Sequence, residues 1–183
     1  MCPKRKKRAK RGRPRINGCV REPNGRILRA KKPYAPADQL VIQMRMKHFG
    51  LRYEDAKSPL AGSYIGRLCL SGGKEGISQE QYDAAQQYLQ VRNDYLCAKG
   101  LPSGHYDNIV TSQDQDGLEK WVTIATNRYE DMKEAIKEVQ CLHPSHNFYA
   151  ALQYLVIENQ SLPYLVNSLR IVLNALHKHF CGK

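Results

Sequence analysis

Nine of the twelve residues from Lys4 to Arg15 are cations: Lys4, Arg5, Lys6, Lys7, Arg8, Lys10, Arg11, Arg13 and Arg15. Side chains of this type at this density do one kind of chemistry, which is to neutralise a polyanion. Gly12 and Pro14 give the end of the run a shape as well as a charge. Without a Cβ, Gly12 lets the backbone press onto the floor of a narrow groove. Pro14 holds the chain extended and pushes Arg13 to extended angles too. Arg11 and Arg13 can then run in opposite directions along a minor groove. An A·T tract offers a narrow groove of strong negative potential, without the guanine N2 amino group that blocks entry. The same cations would also meet RNA or an acidic protein, or serve as a nuclear import signal in a eukaryote.

The charge is confined to that region. The chain has 183 residues and a formal net charge of +12. Residues 1–33 hold 14 Lys+Arg and one acid, Glu22, for +13; residues 34–183 hold 15 Lys+Arg and 16 acids, for −1. All 15 aromatic residues fall in the second part. Dense like charge with nothing to bury predicts a disordered basic arm and linker over 1–36, with a turn at Pro23-Asn24-Gly25 and breakers at Pro33 and Pro36. The near-neutral remainder, about 150 residues, can close one hydrophobic core or two small ones. No apolar run approaches the roughly 18–20 residues that span a bilayer, and no apolar stretch follows the basic start as a secretory signal requires. The six cysteines contain no C-x-x-C pair and read as reduced thiols of a cytosolic or nuclear compartment.

The elements that must carry the arm read as all-α, with no region asking for a sheet. A helical subdomain is expected over 37–100. It starts with a stripe of Leu40, Val41, Met44 and His48 stopped by Gly50, then a short turn of helix over 52–57. A segment over 60–70 follows, ended by Gly72-Gly73. Three short helices in a row allow a helix-turn-helix-like unit, but its third helix offers only Ser63 and Arg67 to a base edge, so it reads as core. Ser78-x-x-Gln81 is a capping-box pattern, with Ile77 and Tyr82 as the flanking staple. Residues 101–117 are polar and predict a hinge loop between two halves of the body.

In the second half, 118–183, the cleanest periodicity is Leu118, Val122, Ala125, Tyr129, Met132, Ile136 and Val139, a seam of period 3.5. It predicts a long helix that either packs on its own bundle or drives homo-oligomerisation. A helix over 147–158, a break, a short helix over 162–167 and a last helix capped by Ser168 make up a trihelical helix-turn-helix layout. In that last helix Leu169, Val172, Leu173, Leu176 and Phe180 are expected in the core. The opposite stripe, Arg170, Asn174, His177 and Lys178, is either a solvated face or a set of donors for phosphates and base edges.

Other signals carry less. Ser71-Gly72-Gly73-Lys74 lacks the Gly-to-Gly-Lys span of a phosphate loop, and Asp114-x-Asp116-Gly117 lacks the distal Glu of a calcium loop. Cys141, His143 and His146, and likewise His177, His179 and Cys181, offer zinc-type ligands at spacings that match no common finger, so no metal is assigned. No nucleophile–base–orienter set is present; a non-enzyme without cofactor is expected.

The run Arg11-Gly12-Arg13-Pro14, flanked by Lys10 and Arg15, resembles the core of an AT-hook. Three further stretches resemble small proteins of alphaproteobacterial phages and gene-transfer-agent-like elements, and the chain's ending is similar to the C-terminal helix-turn-helix of regulators in such elements. The stretches are Arg21–Arg26, Pro59–Gly62 through Gly66-Arg67-Leu68, and Ile77-Ser78 through Glu80–Ala85; the ending is Leu169-x-x-x-Leu173-x-x-Leu176-x-x-His179-Phe180. The resemblance implies a double-stranded-DNA-binding protein of a phage or prophage-like element, foremost a transcription regulator. Its place would be the cytoplasm of a bacterial or phage-infected cell, or the nucleus if the source is eukaryotic. One alternative is a small-terminase-like packaging subunit that assembles through the 118–139 seam. That family, however, usually places its helix-turn-helix at the N-terminus. A second alternative is an RNA-associated or structural protein with a nucleic-acid-threading arm.

Overall fold

A computed structural model describes residues 17–28, 36–72, 76–101 and 115–182. The chain divides into two compact units, Met1–Val41 and Ile42–Lys183. In the first, the stretch expected to be linker contains a tight hairpin. Arg21 and Ile27 form an antiparallel bridge, and Leu28 N donates to Val20 O at 2.8 Å. Its turn falls at Pro23-Asn24-Gly25, as the residue types foretold. Gly25 sits at φ +82°, and the Asn24 carboxamide accepts from Arg26 N while donating to Glu22. A short polar side chain followed by glycine closes such a turn locally, so residues 17–28 are not the unstructured linker that their charge suggested.

Every described residue outside that hairpin and the connecting turns is helical, and the all-α class holds. In chain order the helices are α1 (Ala37–Phe49), α2 (Tyr53–Lys57), α3 (Tyr64–Ser71), α4 (Gln79–Ala98), α5 (Gln115–Leu142), α6 (Phe148–Ala151) and α7 (Val166–Cys181). A 3-10 turn over Pro59–Gly62 precedes α3, a π-helical turn over Leu152–Ile157 continues α6, and a 3-10 turn over Pro163–Leu165 leads into α7. Side chains fix the starts of α3, α4 and α6. Ser63 Oγ accepts from Gly66 N, Asn147 accepts from Ala150 N, and Ser78 with Gln81 forms the expected capping box in both directions. Each such cap occupies donors that a helix end otherwise leaves open. The remaining donor at the start of α3, Tyr64 N, goes to the side chain of Asn159, whose φ of +56° turns it back toward that helix.

The core of the second unit lies where α4, α5 and α7 meet, closed by α3 and by α6 with its π turn. Phe148, Leu152, Leu155, Leu169, Leu173 and Leu176 are at most 1% exposed. Small residues on the buried face of α4, Ala84 and Ala85, leave room for its two partner helices. Tyr95 of α4 and Tyr129 of α5 stack with centroids 4.0 Å apart. Burial pushes the phenol of Tyr88 up to about 12. The two proposed halves, 37–100 and 118–183, therefore share one core. Residues 102–114, most of the expected hinge loop, lie outside the described residues.

Periodicity identifies an apolar face but not what covers it, and α5 and α1 show the two outcomes. The seam on α5 is turned inward, with Ala125, Met132 and Ile136 buried and Val122, Tyr129 and Val139 half-buried; only Leu118 is exposed. Helices α4 and α7 pack against it, so of the two readings of the seam the structure shows the one in which it packs on its own bundle. On α1 the opposite occurs. Leu40, Val41, Met44 and His48 are exposed, and the half-buried positions are Ile42 and Arg45 on the other side. Arg45 Nη1 donates to the carbonyls of Ala56 and Ser58, which sets which face of α1 turns inward.

Gly66 packs against the Leu60 backbone so closely that a Cβ would strike the Leu60 carbonyl. In an open helix Gly→Ala stabilises by about 1 kcal/mol. Here Gly66→Ala should destabilise by about 1–3 kcal/mol, read as a lower urea midpoint. Tyr88 gives a pH dependence with a definite sign. The unfolded chain ionises this phenol near the ordinary value of about 10 while the folded chain keeps its proton to about 12. Stability should therefore fall as pH rises from about 10 toward 12, and Tyr88→Phe should flatten that limb in denaturant titrations.

Candidate nucleic-acid interface

Of the two groups of DNA-binding candidates, the first, Lys4, Arg5, Lys6, Lys7, Arg8, Lys10, Arg11, Gly12, Arg13, Pro14 and Arg15, lies outside the described residues. The second is the stripe on α7. That helix begins at Val166, two residues before the expected cap, because the 3-10 turn at Pro163–Leu165 runs straight into it. Ser168 is consequently not a cap. It sits in the first turn, 6% exposed, with its Oγ 2.9 Å from Nδ1 of His146. The expected middle helix of a helix-turn-helix is only that three-residue turn, continuous with α7.

The burial of α7 explains what becomes of the stripe. Leu169, Val172, Leu173 and Leu176 are fully buried, and Val166 and Ser168 extend the buried arc around much of the helix. The side opposite is narrow, and its polar residues are largely engaged. Arg170 is half-buried and its Nε donates to Gly76 O at 2.8 Å. Asn174 accepts from Nε2 of Gln81 on α4 at 2.8 Å. His177 is half-buried, with Nδ1 3.7 Å from Cys181 Sγ. Lys178 is exposed. A donor committed to a neighbouring carbonyl is not available to a base edge without breaking that bond. Arg170 and Asn174 thus tie α7 to the turn before α4 and to α4, while Lys178 faces outward.

The earlier unit behaves as its composition suggested. Ser63 caps α3. The Arg67 guanidinium lies 3.9 Å from the centre of the Phe49 ring and donates to Ala61 O, with burial lowering its pKa from the ordinary value. Both residues hold the fold together. Cys141, His143 and His146 are not gathered: His143 and His146 meet edge to face, and His146 stacks on Phe148. Among the described residues no group of three or more His, Cys, Asp or Glu could hold a metal ion, and no helix is long and apolar enough to cross a membrane. One feature without any motif is a cleft where α4, α5 and the end of α7 meet, lined in part by Asp94, Arg128 and Phe180.

The class that the fold defines is an all-α protein, and its excess positive charge lies in residues 1–33. Comparison with protein-family models, with curated proteins and with solved structures finds no match to the chain.

Arg170 distinguishes a structural stripe from a reading one. Losing a partly buried bond from a charged donor costs about 1.5–3 kcal/mol, so Arg170→Ala should lower stability by that order. DNA affinity of the folded variant should stay within about twofold of the parent, since one cation among many is removed. Unchanged stability with a changed DNA site preference would restore α7 as a reader.

Proposed function

We propose that the chain binds double-stranded DNA through residues 1–15, and that it acts as a transcription regulator of a phage or prophage-like element. The observation that carries this reading is the partition of charge, +13 in residues 1–33 against −1 in the rest. Arg11-Gly12-Arg13-Pro14 adds a bias toward A·T minor groove, because its glycine and proline suit an extended strand on a narrow floor. Affinity and preference then both reside in the arm. The engagement of Arg170 and Asn174 within the fold supports that division. A packaging role that needs a ring is not favoured, because the seam that would build the ring faces the chain's own core.

A competition between A·T duplex, G·C duplex and structured RNA at two salt concentrations tests the reading. The A·T duplex should bind tightest. With about six to eight phosphates engaged, log K should fall against log salt with a slope of roughly −5 to −7. Deleting residues 1–15 should weaken every duplex and bring the slope toward zero. Affinity unaffected by that deletion would refute the proposal, and structured RNA outcompeting A·T duplex would replace DNA with RNA as the partner.

A further inference from the structure

The cleft between α4, α5 and α7 has a volume of about 320 Å³. That is near the lower end for small-molecule sites, so its natural occupant is small. Its walls are chemically divided. Asp94, half-buried on α4, and Arg128, exposed on α5, both face it, yet no ion pair forms between them within 4.0 Å and neither has a hydrogen-bond partner among the described residues. Val91 and Phe180 supply apolar lining, and Gln87 adds a carboxamide on the α4 side. The last turn of α7 also ends here, with His179 on the wall. A helix C-terminus carries partial negative charge, which adds to that of Asp94 in favouring a cation.

We propose that this cleft is a binding site for a small zwitterion of the α-amino-acid type with an apolar side chain. The carboxylate would take the planar donor fork of Arg128, the ammonium would sit by Asp94, and the side chain would lie on Val91 and Phe180. Each single-charge alternative leaves one wall unmatched. A free carboxylic acid would place a second anion near Asp94, and an amine would leave Arg128 without a counter-charge. An α-amino acid carries both groups on one carbon and satisfies both walls together with the apolar floor. The site does not depend on the nucleic-acid reading, since none of its residues belongs to the arm or to the α7 stripe.

Calorimetric titration of the full chain, without nucleic acid, tests it. The probes are L-leucine and L-phenylalanine, with isoamylamine and 4-methylpentanoic acid as leucine analogues that lack one charge each. One of the amino acids should bind with a dissociation constant of about 0.01–1 mM. Each single-charge analogue on the unaltered chain, and each of Asp94→Asn and Arg128→Gln with the amino acid, should bind about tenfold or more weakly. Lys133→Gln, away from the cleft, should bind as the parent. Melting curves check that the variants fold; if one does not, the analogue comparison on the parent still decides. No binding of either amino acid below about 10 mM, or analogues binding as tightly as the amino acids, would overturn the proposal.

Discussion

Helix α7 is buried around much of its circumference, and that single constraint governs what residues 42–183 can do. Leu169, Val172, Leu173 and Leu176 lie on one side at spacings of three and four, with no measurable exposure. Burying four such side chains is worth several kcal/mol, a large part of the marginal stability of a domain. A helix that supplies the core in this way has little circumference left for a partner. The polar residues on its flanks face α4 and the turn before it, and they bond to what they face. Arg170 on Gly76 and Asn174 on Gln81 are consequences of the packing, because a polar group brought to the edge of a core must find a partner there.

The same pressure explains the polar ties elsewhere. Every helix start leaves backbone donors open, and the described residues hold seven helices. Serine and asparagine side chains meet that need at α3, α4 and α6. The Asn159 side chain goes further, linking the start of α3 to the turn after the π-helical segment. Such bonds do not drive collapse, but they determine which turn of one helix meets which turn of another.

What the amino-acid sequence revealed follows from the range of the interaction involved. The box at Ser78 and Gln81, the turn at Asn24-Gly25 and the buried positions Leu169, Val172, Leu173 and Leu176 of α7 are encoded within a few residues of themselves and are found where the local pattern places them, whereas Phe180, expected with them, is half-buried at the cleft. The α5 seam was legible as a seam, but its partner was not, since an apolar face of period 3.5 suits a second copy and a neighbouring helix equally. The outward stripe of α1 reverses expectation because Arg45 finds the carbonyls of Ala56 and Ser58, a pairing with no sequence signature. The bond of Arg170 was hidden in the same way: its partner, Gly76, is remote in sequence. For the arm, composition alone supports the proposal, since counting cations needs no fold.

That contrast separates two kinds of recognition. Attraction to a polyanion scales with the number of cations and tolerates many geometries, so it can be written into fifteen consecutive residues. A cleft depends on distances that only the packed helices set. Asp94 and Arg128 show how much hangs on those distances. In direct contact they would form an exposed ion pair worth about 0–1 kcal/mol, and each charge would already be answered. Carried on two different helices that line the cleft, they make no such pair, and under the proposal both charges stay available to a ligand that carries their complements. The spacing is imposed by the core beneath, where Tyr95 stacks on Tyr129 and α7 packs against both neighbours. The packing that buries one face of α7 is thus also what sets the dimensions of the cleft.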